Sequence, residues 1–311
     1  MSGLDDELYE ELRPRAFAIA YRMLGTVSEA EDLVQEALLR LHGVLESGEE
    51  VASPPAYVAT VVTRLAINEL RSARVRRETY VGEWLPEPVL TEERDTLGGV
   101  DPARAAELSD SLSFAFLVLL EKLTPEQRAV FLLHDVFDYP YADVAEIVGR
   151  SEAATRQLGV RARTRVEQDR PAYDVSREQE EALAEKFFGA VQKGDVEALE
   201  ELLAADVELH GDGGGKAPAL ARPVHGRERA ARTLSAWARR AERIGGLVFH
   251  PRRMNGAPGA VTMTPDGRVI SVLVLEIAAG RIQAVRGVVN PDKLAHLGRV
   301  ADVNALLRGE G

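Results

Sequence analysis

The stretch Ala142–Val166, ADVAEIVGRSEAATRQLGVRARTRV, restricts the fold more than any other part of this 311-residue chain. Apolar residues recur at helical spacing on both sides of Gly149-Arg150-Ser151. A glycine ends a helix by turning left-handed, and a serine two residues later can cap the next one. The pattern predicts a supporting helix over Tyr141–Val148, a tight turn, and a second helix from Ser151. In that second helix Leu158, Ala162 and Val166 form the expected buried side, while Glu152, Ala153, Arg156, Gln157, Val160 and Arg163 point outward. Arg and Gln near the start of such a helix suit base edges in a major groove, and later arginines suit phosphates. Gly159 stands against the pattern, since a mid-helix glycine costs about 1 kcal/mol relative to alanine.

Further start signals make the first 170 residues helical. Thr124-Pro125-Glu126-Gln127 joins a capping threonine, a proline in the first turn and a glutamine at the third position. Ser53 followed by proline opens a second helix, and Ser28 with Glu31 reads as a capping box for a helix over Glu29–His42. On that last helix Leu33, Val34, Ala37, Leu38 and Leu41 share a stripe, and Asp32, Gln35 and Glu36 lie opposite with Leu39 among them. Such a face is either ordinary wet surface or a dock for a basic, partly apolar helix of another protein. On the helix after Ser53, Tyr57, Arg64, Asn68 and Arg71 lie away from Val58, Val61, Val62 and Leu65. Arginines suit phosphates, asparagine a base edge, and an aromatic ring a stacked base.

Charge sharpens this reading. The net charge is −12, which on average opposes nucleic acid. Yet Arg64–Arg77 holds five arginines against one glutamate, and Arg150–Arg170 six against three acids. Two basic islands in an acidic chain predict two local anion-binding surfaces. At 45% apolar and 28% charged residues the chain can bury real cores. Cysteine is absent, which excludes disulfides and thiol chemistry. No apolar run reaches membrane-spanning length and the opening MSGLDDELYE is too acidic for a secretion signal, so a soluble cytoplasmic protein is expected.

From about Ser176 the texture changes. Short helical patterns, REQEEALAEKFFGAVQK and VEALEELLA, lead to ADVELH and a glycine cluster, HGDGGGK. A further helix, RERAARTLSAWARRAE, precedes the strand-like runs GLVFH, GAVTMT, RVISVLVLEIA and RIQAVRGVV. Pro265-Asp266-Gly267 and Ala279-Gly280 supply hairpin turns. Helices followed by an antiparallel sheet predict an α+β domain.

Three stretches in this order, RPRAFAIAYRMLGTVSEAEDLVQEALLRLH, VVTRLAINELRSARVRRETY and LTPEQRAVFLLHDVFDYPYADVAEIVGRSEAATRQLGVRAR, resemble a bacterial sigma factor of the extracytoplasmic-function group. WLPEP, DGGGK at Asp212–Lys216 and NPDKL at Asn290–Leu294 are similar to the subgroup with a fused C-terminal SnoaL-like domain. The resemblance implies a multidomain fold of two all-α sigma domains, the second with a helix-turn-helix, and an α+β SnoaL-like cone with a curved antiparallel sheet. It implies sigma region 2 over 1–79, a linker over 80–107, sigma region 4 over 108–172 and a regulatory domain over 173–311. Asp32, Gln35, Glu36 and Leu39 would meet the β′ clamp helices of core RNA polymerase, with the β flap as a second contact. Tyr57, Arg64, Asn68, Arg71 and Arg74 would engage the promoter −10 element. Ser151, Glu152, Arg156, Gln157, Arg161 and Arg163 would bind the −35 element. The implied protein is a monomer when free, needs no cofactor or metal, and acts on promoter DNA only with polymerase.

Within the linker, Tyr80–Leu90 reads YVGEWLPEPVL. Burying a tryptophan gains on the order of 3–5 kcal/mol, and ordering a connector costs roughly 1–2 kcal/mol per residue. Docking Trp84 with its neighbours is therefore nearly balanced, and Pro86 and Pro88 lower the ordering cost. The expectation is that Trp84, Leu85, Pro86, Glu87 and Pro88 lie against the C-terminal domain near Asp212, Lys216, Asn290, Pro291, Asp292 and Lys293. Two other readings of the C-terminal domain remain: an enzyme using His210, Asp212, His225, His250 or Asn290, and a sensor of a small ligand. No pair among those residues has a spacing that demands catalysis, so no enzyme is expected. A stand-alone repressor is the rival for the N-terminal half, but it leaves the face containing Leu39 without a role.

Overall fold

The computed structural model describes residues 5–78, 80–91, 111–168, 175–242 and 245–309, without the side chains of 73–78. The chain divides into two compact units, Met1–Glu78 with Leu117–Arg170, and Thr79–Phe116 with Pro171–Gly311.

The first unit is helical. Helix α1 (Asp6–Leu24) starts where the Asp5 carboxylate accepts from the Leu8 amide, and ends at left-handed Gly25. Helix α2 runs Val27–Glu46, beginning two residues before its expected start at Glu29. Thr26 takes the N-cap position, and its hydroxyl bonds the Glu29 carboxylate at 2.6 Å. Glu31 is engaged elsewhere, with Arg13 at 2.7 Å. Both Thr26/Glu29 and Ser28/Glu31 fit the capping spacing, and the end of α1 at Gly25 decides for the earlier one. Helix α3 (Pro54–Glu78) opens on Ser53, as its sequence predicts. In α4 (Pro125–Phe131) the complete capping box of Thr124 and Gln127 is present. A turn of π-helix (Leu132–Val136) leads to α5 (Tyr141–Val148), left-handed Gly149, and α6 (Glu152–Glu167) capped by Ser151. The expected helix-turn-helix is therefore formed.

One buried cation joins the two sequence-distant halves of this unit. Arg128 of α4 donates to the carbonyls of Met23, at the end of α1, and Leu120, at 2.6 and 2.7 Å, and pairs with Glu121 at 2.8 Å. Helix C-termini present unsatisfied carbonyls and a partial negative charge, so a guanidinium suits the end of α1. Burial alone pulls its pKa down to about 9, which still leaves it charged at neutral pH.

In the second unit, α7 (Arg177–Lys193) and α8 (Val196–Leu202) precede β1 (Leu203–Asp212), β2 (Val224–His225) and α9 (Arg227–Glu242). The strands β3 (Val248–Met254), β4 (Ala257–Met263), β5 (Val269–Ala278) and β6 (Arg281–Val288) then form a meander, followed by short helices α10 (Pro291–Leu294) and α11 (Val303–Arg308). The six-stranded sheet has the order β2-β1-β6-β5-β4-β3. The expected antiparallel pairing is present with one exception: β1 and β6 run parallel. The exception follows from connectivity, since helix α9 and the meander return the chain beside β1 in the same direction. Register shifts in β1, β4 and β5 bend the sheet. Phe187, Phe188, Leu199, Leu234, Leu275 and Val285 belong to the core between the sheet and its helices. Among the described residues, no helix is long and apolar enough to cross a membrane.

Candidate functional site

The acid-and-leucine face of α2 is open. Ala30, Val34, Ala37, Leu38 and Leu41 are buried, whereas Asp32, Gln35, Glu36 and Leu39 are exposed, Leu39 to 57%. Among the described residues Glu36 pairs with Arg40, one turn away on the same helix. An exposed leucine on a face with Asp32 and Glu36 is chemically suited to a basic, partly apolar surface.

On α3, Arg64, Asn68 and Arg71 share an exposed side and Tyr57 is half-buried, while the Arg74 side chain lies outside the described residues. The arginines are occupied. Arg64 donates to the carbonyls of Ile147 and Glu146 at 3.0 and 2.9 Å, at the C-terminal end of α5. Arg71 pairs with Glu126 at 2.5 Å. Burial pushes the pKa of the Glu126 carboxyl up, but the hydrogen bond from Arg71, a backbone hydrogen bond and the charges of Arg71 and Arg150 together hold it below its usual value. Two of the expected −10 groups, Arg64 and Arg71, thus hold α5 and α4, the helices that pack against α6.

On α6, Ser151, Glu152, Arg156, Gln157 and Arg161 are exposed, as is Val160 at 58%. Arg156 pairs with Glu152 at 2.5 Å and lies 4.7 Å from the centre of the Tyr141 ring. Arg163 differs from the outward placement expected of it. It is half-buried, bonded to Asp135 and to the Tyr141 hydroxyl, each at 2.6 Å. The periodicity that sets its direction cannot foresee an acid arriving from the π-helical turn.

Gly159 also changes meaning. A Cβ there would come within 2.5 Å of the Tyr141 hydroxyl oxygen, so the missing side chain lets α5 approach α6 closely. Gly159→Ala should gain about 1 kcal/mol of helix propensity and lose roughly 1–3 kcal/mol through overpacking. We expect a net loss in urea unfolding; a gain in stability would show that Tyr141 moves aside freely.

In the second unit the linker is gripped by the sheet. Asp212, fully buried at the end of β1, accepts from the Tyr80 hydroxyl at 2.5 Å, the Leu85 amide at 2.8 Å, the Lys293 ammonium at 2.7 Å and the Gly214 amide at 3.1 Å. The same ammonium donates to the Leu85 carbonyl at 2.5 Å, so both backbone groups of Leu85 are held. Asn290 donates to the Tyr80 hydroxyl at 2.9 Å. Burial, followed by the Asp212 carboxylate, pushes the Tyr80 phenol well above its usual pKa. Glycine is required at Gly214, where φ is +57° and a Cβ would lie 2.3 Å from the Asn290 amide nitrogen. Lys216 pairs with Asp292 at 2.5 Å across the rim.

The expected anchor is the wrong one. Leu85 is fully buried, with Pro86, Glu87 and Pro88 buried beside it, but Trp84 is only half-buried. Its ring covers the Lys293 ammonium at 4.4 Å instead of entering a core. Such a cation–π contact is worth about 0.5–2 kcal/mol, and the buried leucine about 1.5–3 kcal/mol. The anchor is Leu85.

Farther along, the linker borders the hairpin of β3 and β4. Asn255, left-handed at φ 53°, and Gly256 make the turn. The Val89 amide donates to the Asn255 side chain at 2.8 Å, and the Thr91 amide donates to the Arg253 carbonyl at 3.0 Å. Asn-Gly between strands is a strong hairpin signal, and the sequence reading passed over it.

His296 donates through Nε2 to the Pro88 carbonyl at 2.7 Å. Burial holds its pKa below the ordinary value, against the pull of that bond. The unfolded chain therefore takes a proton near pH 6.5 that the folded chain refuses. Stability is complete above about pH 6.5 and falls as the pH drops below it. The wild type should lose more unfolding free energy than His296→Gln between neutral and mildly acidic pH, and equal losses would contradict this.

Of the catalytic candidates, His210 and His225 share the Glu208 carboxylate, at 3.0 and 3.2 Å. A cavity of about 390 Å³ between sheet and helices is lined by Leu220, Leu234, Trp237, Phe249, Thr262, Ser271 and other largely apolar neighbours. None of His210, Asp212, His225, His250 or Asn290 lines it. His210 bridges Glu83 of the linker and Glu208 at 2.7 and 3.0 Å, and Asp212 belongs to the linker site.

Residues 8–76 match the family described as Sigma-70 region 2, 113–166 Sigma-70 region 4, and 184–290 the SnoaL-like domain. The chain is 39% identical over 297 residues to the ECF RNA polymerase sigma factor SigJ of Mycobacterium tuberculosis, covering 92% of this chain and 91% of that protein. It is 31% identical over 279 residues to the probable ECF RNA polymerase sigma factor SigI of the same species, covering 89% and 90%. The crystal structure of M. tuberculosis SigJ superposes with a TM-score of 0.72 at 35% identity, over 94% of this chain and 98% of that one.

Proposed function

This chain belongs to the extracytoplasmic-function sigma factors that carry a C-terminal SnoaL-like domain, and from that membership we propose how its surfaces divide the work. The family directs RNA polymerase to promoters and starts transcription. In our reading, Asp32, Gln35, Glu36 and Leu39 dock the chain on the clamp helices of core polymerase. Tyr57, Arg64, Asn68, Arg71 and Arg74 take the −10 element, and Ser151, Glu152, Arg156, Gln157 and Arg161 the −35 element, with Arg163 bracing α6 for that contact.

The free chain withholds this activity from itself. Arg64 and Arg71 cannot reach DNA while they hold α5 and Glu126. Polymerase must draw regions 2 and 4 apart, and the linker has to yield its slack for that to happen. The C-terminal domain regulates in cis by keeping the linker. The observation that carries this reading is the hold of Asp212 and Lys293 on both backbone groups of Leu85. The domain reads a small ligand through its cavity without chemistry there, a reading supported by the position of His210, Asp212, His225, His250 and Asn290 outside the lining.

Run-off transcription with core polymerase, comparing the full chain with one ending after Gln168, tests the assignment. We expect both to co-elute with polymerase and the shorter chain to start transcription with less restraint. Failure to co-elute, or firm binding of duplex DNA by the free chain, would overturn it.

A further inference from the structure

Side chains alternate along the strands, so every second residue faces the concave side of the sheet. Phe249, Thr262 and Ser271 are cross-strand neighbours in one such row, and Leu273, Gly287 and Gly211 form the next. All six line the 390 Å³ cavity, whose size falls in the range of small-molecule sites. Trp237 stands at the cavity with 36% of its surface exposed. The charged lining residues, Arg240 and Glu242, are exposed. Of the uncharged polar side chains at the cavity, Gln192 is exposed, and the hydroxyl pair Thr262 and Ser271 lies on the sheet wall. Thr262 is 1% exposed and its hydroxyl oxygen has no hydrogen-bond partner among the described residues. Ser271, beside it, is only half-buried.

We propose that this cavity binds a compact, neutral, largely apolar molecule carrying one hydroxyl or carbonyl, anchored at Thr262 and Ser271. A charged ligand is disfavoured, because burying a charge without a partner costs several kcal/mol. A hydroxyl in the wall can both donate and accept, which fits either polar group. A buried polar atom without a partner is itself costly, so a ligand that satisfies it gains selectivity over a hydrocarbon of equal shape.

The occupant would also touch the regulatory contact. Gly211 and Val289 line the cavity, and the residues that follow them, Asp212 and Asn290, hold the linker. Filling the cavity therefore presses on the strand ends that grip Leu85. This last step rests on the cis-regulatory reading above, and the binding itself does not.

The test uses the full chain with decahydro-2-naphthol as probe and decahydronaphthalene as its match without the hydroxyl. Titration calorimetry should show binding of the alcohol with about a tenfold preference over the hydrocarbon. The Thr262→Val/Ser271→Ala double variant should lose that preference. Ala238→Phe, which fills the cavity from α9, should abolish binding of both. No binding to the wild type up to the solubility limit, an unchanged preference in the double variant, or undiminished binding to Ala238→Phe would each overturn the site. In a Trp237→Phe chain the remaining tryptophan, Trp84, reports the linker. Its emission should shift when the alcohol binds, and binding without a shift would sever the cavity from the linker contact while leaving the run-off comparison untouched.

Discussion

Replacing Asp212 by alanine should release the linker and cost about 3–5 kcal/mol, the expected penalty for leaving a buried charge unpaired. The Lys293 ammonium, only 5% exposed, loses its carboxylate, and the Leu85 amide and Tyr80 hydroxyl lose their acceptor. The alanine chain should unfold at lower denaturant, and its Leu85 amide should exchange faster than in the wild type. Adding Lys293→Met should return part of the loss, because an apolar pair avoids the stranded ammonium. If the single variant lost less than about 1 kcal/mol, as an exposed pair would, the carboxylate would not be what holds the linker.

Arg128→Ala should be equally severe in the helical unit. The side chain is 3% exposed, and its removal takes the donor from the carbonyls of Met23 and Leu120 and the cation from beside Glu121. Breaking a buried, hydrogen-bonded charge of this kind costs about 3–5 kcal/mol. Arg128→Lys should recover only part, since an ammonium is a point donor and cannot span the same carbonyls as a planar fork. Urea unfolding followed by helical circular dichroism measures both. Parity of the lysine variant with the wild type would mean that charge, and not the fork, ties α1 to α4.

Much of the helical unit was legible because its signals are local. Thr124, Ser151 and Gly149 act within four residues of themselves, and a single sequence displays such caps directly. The exposed face of α2 was equally readable, since helical period alone places Leu39 opposite Val34, Ala37 and Leu41. Where two capping patterns overlapped, at Thr26 and Ser28, only the end of the preceding helix could choose between them.

Long-range partners were not legible. Gly159 looked like a flaw until Tyr141 was seen against it, and Arg163 looked free until Asp135 arrived from another turn. Arg64 and Arg71 could be read as basic, but nothing local says that carbonyls of α5 and Glu126 hold them. In the linker the aromatic residue drew attention by its size, while the smaller Leu85 carries the burial. Tyr80 lay inside the stretch that was singled out and still went unassigned, because its partners are Asp212 and Asn290, far away in sequence.

In the function proposed above, the grip on the linker must open for transcription. The chain has no cysteine, and a Cβ at Gly215 would lie 3.0 Å from that of Val81, so Val81→Cys/Gly215→Cys can form a single disulfide across the contact once the two positions move apart by about half an ångström or more. Any strain from the substitutions is shared by the oxidised and reduced forms of one protein, which makes each the control for the other. In run-off transcription with core polymerase, the oxidised chain should give little transcript and the reduced chain should recover it. Equal transcript from both forms would contradict the account.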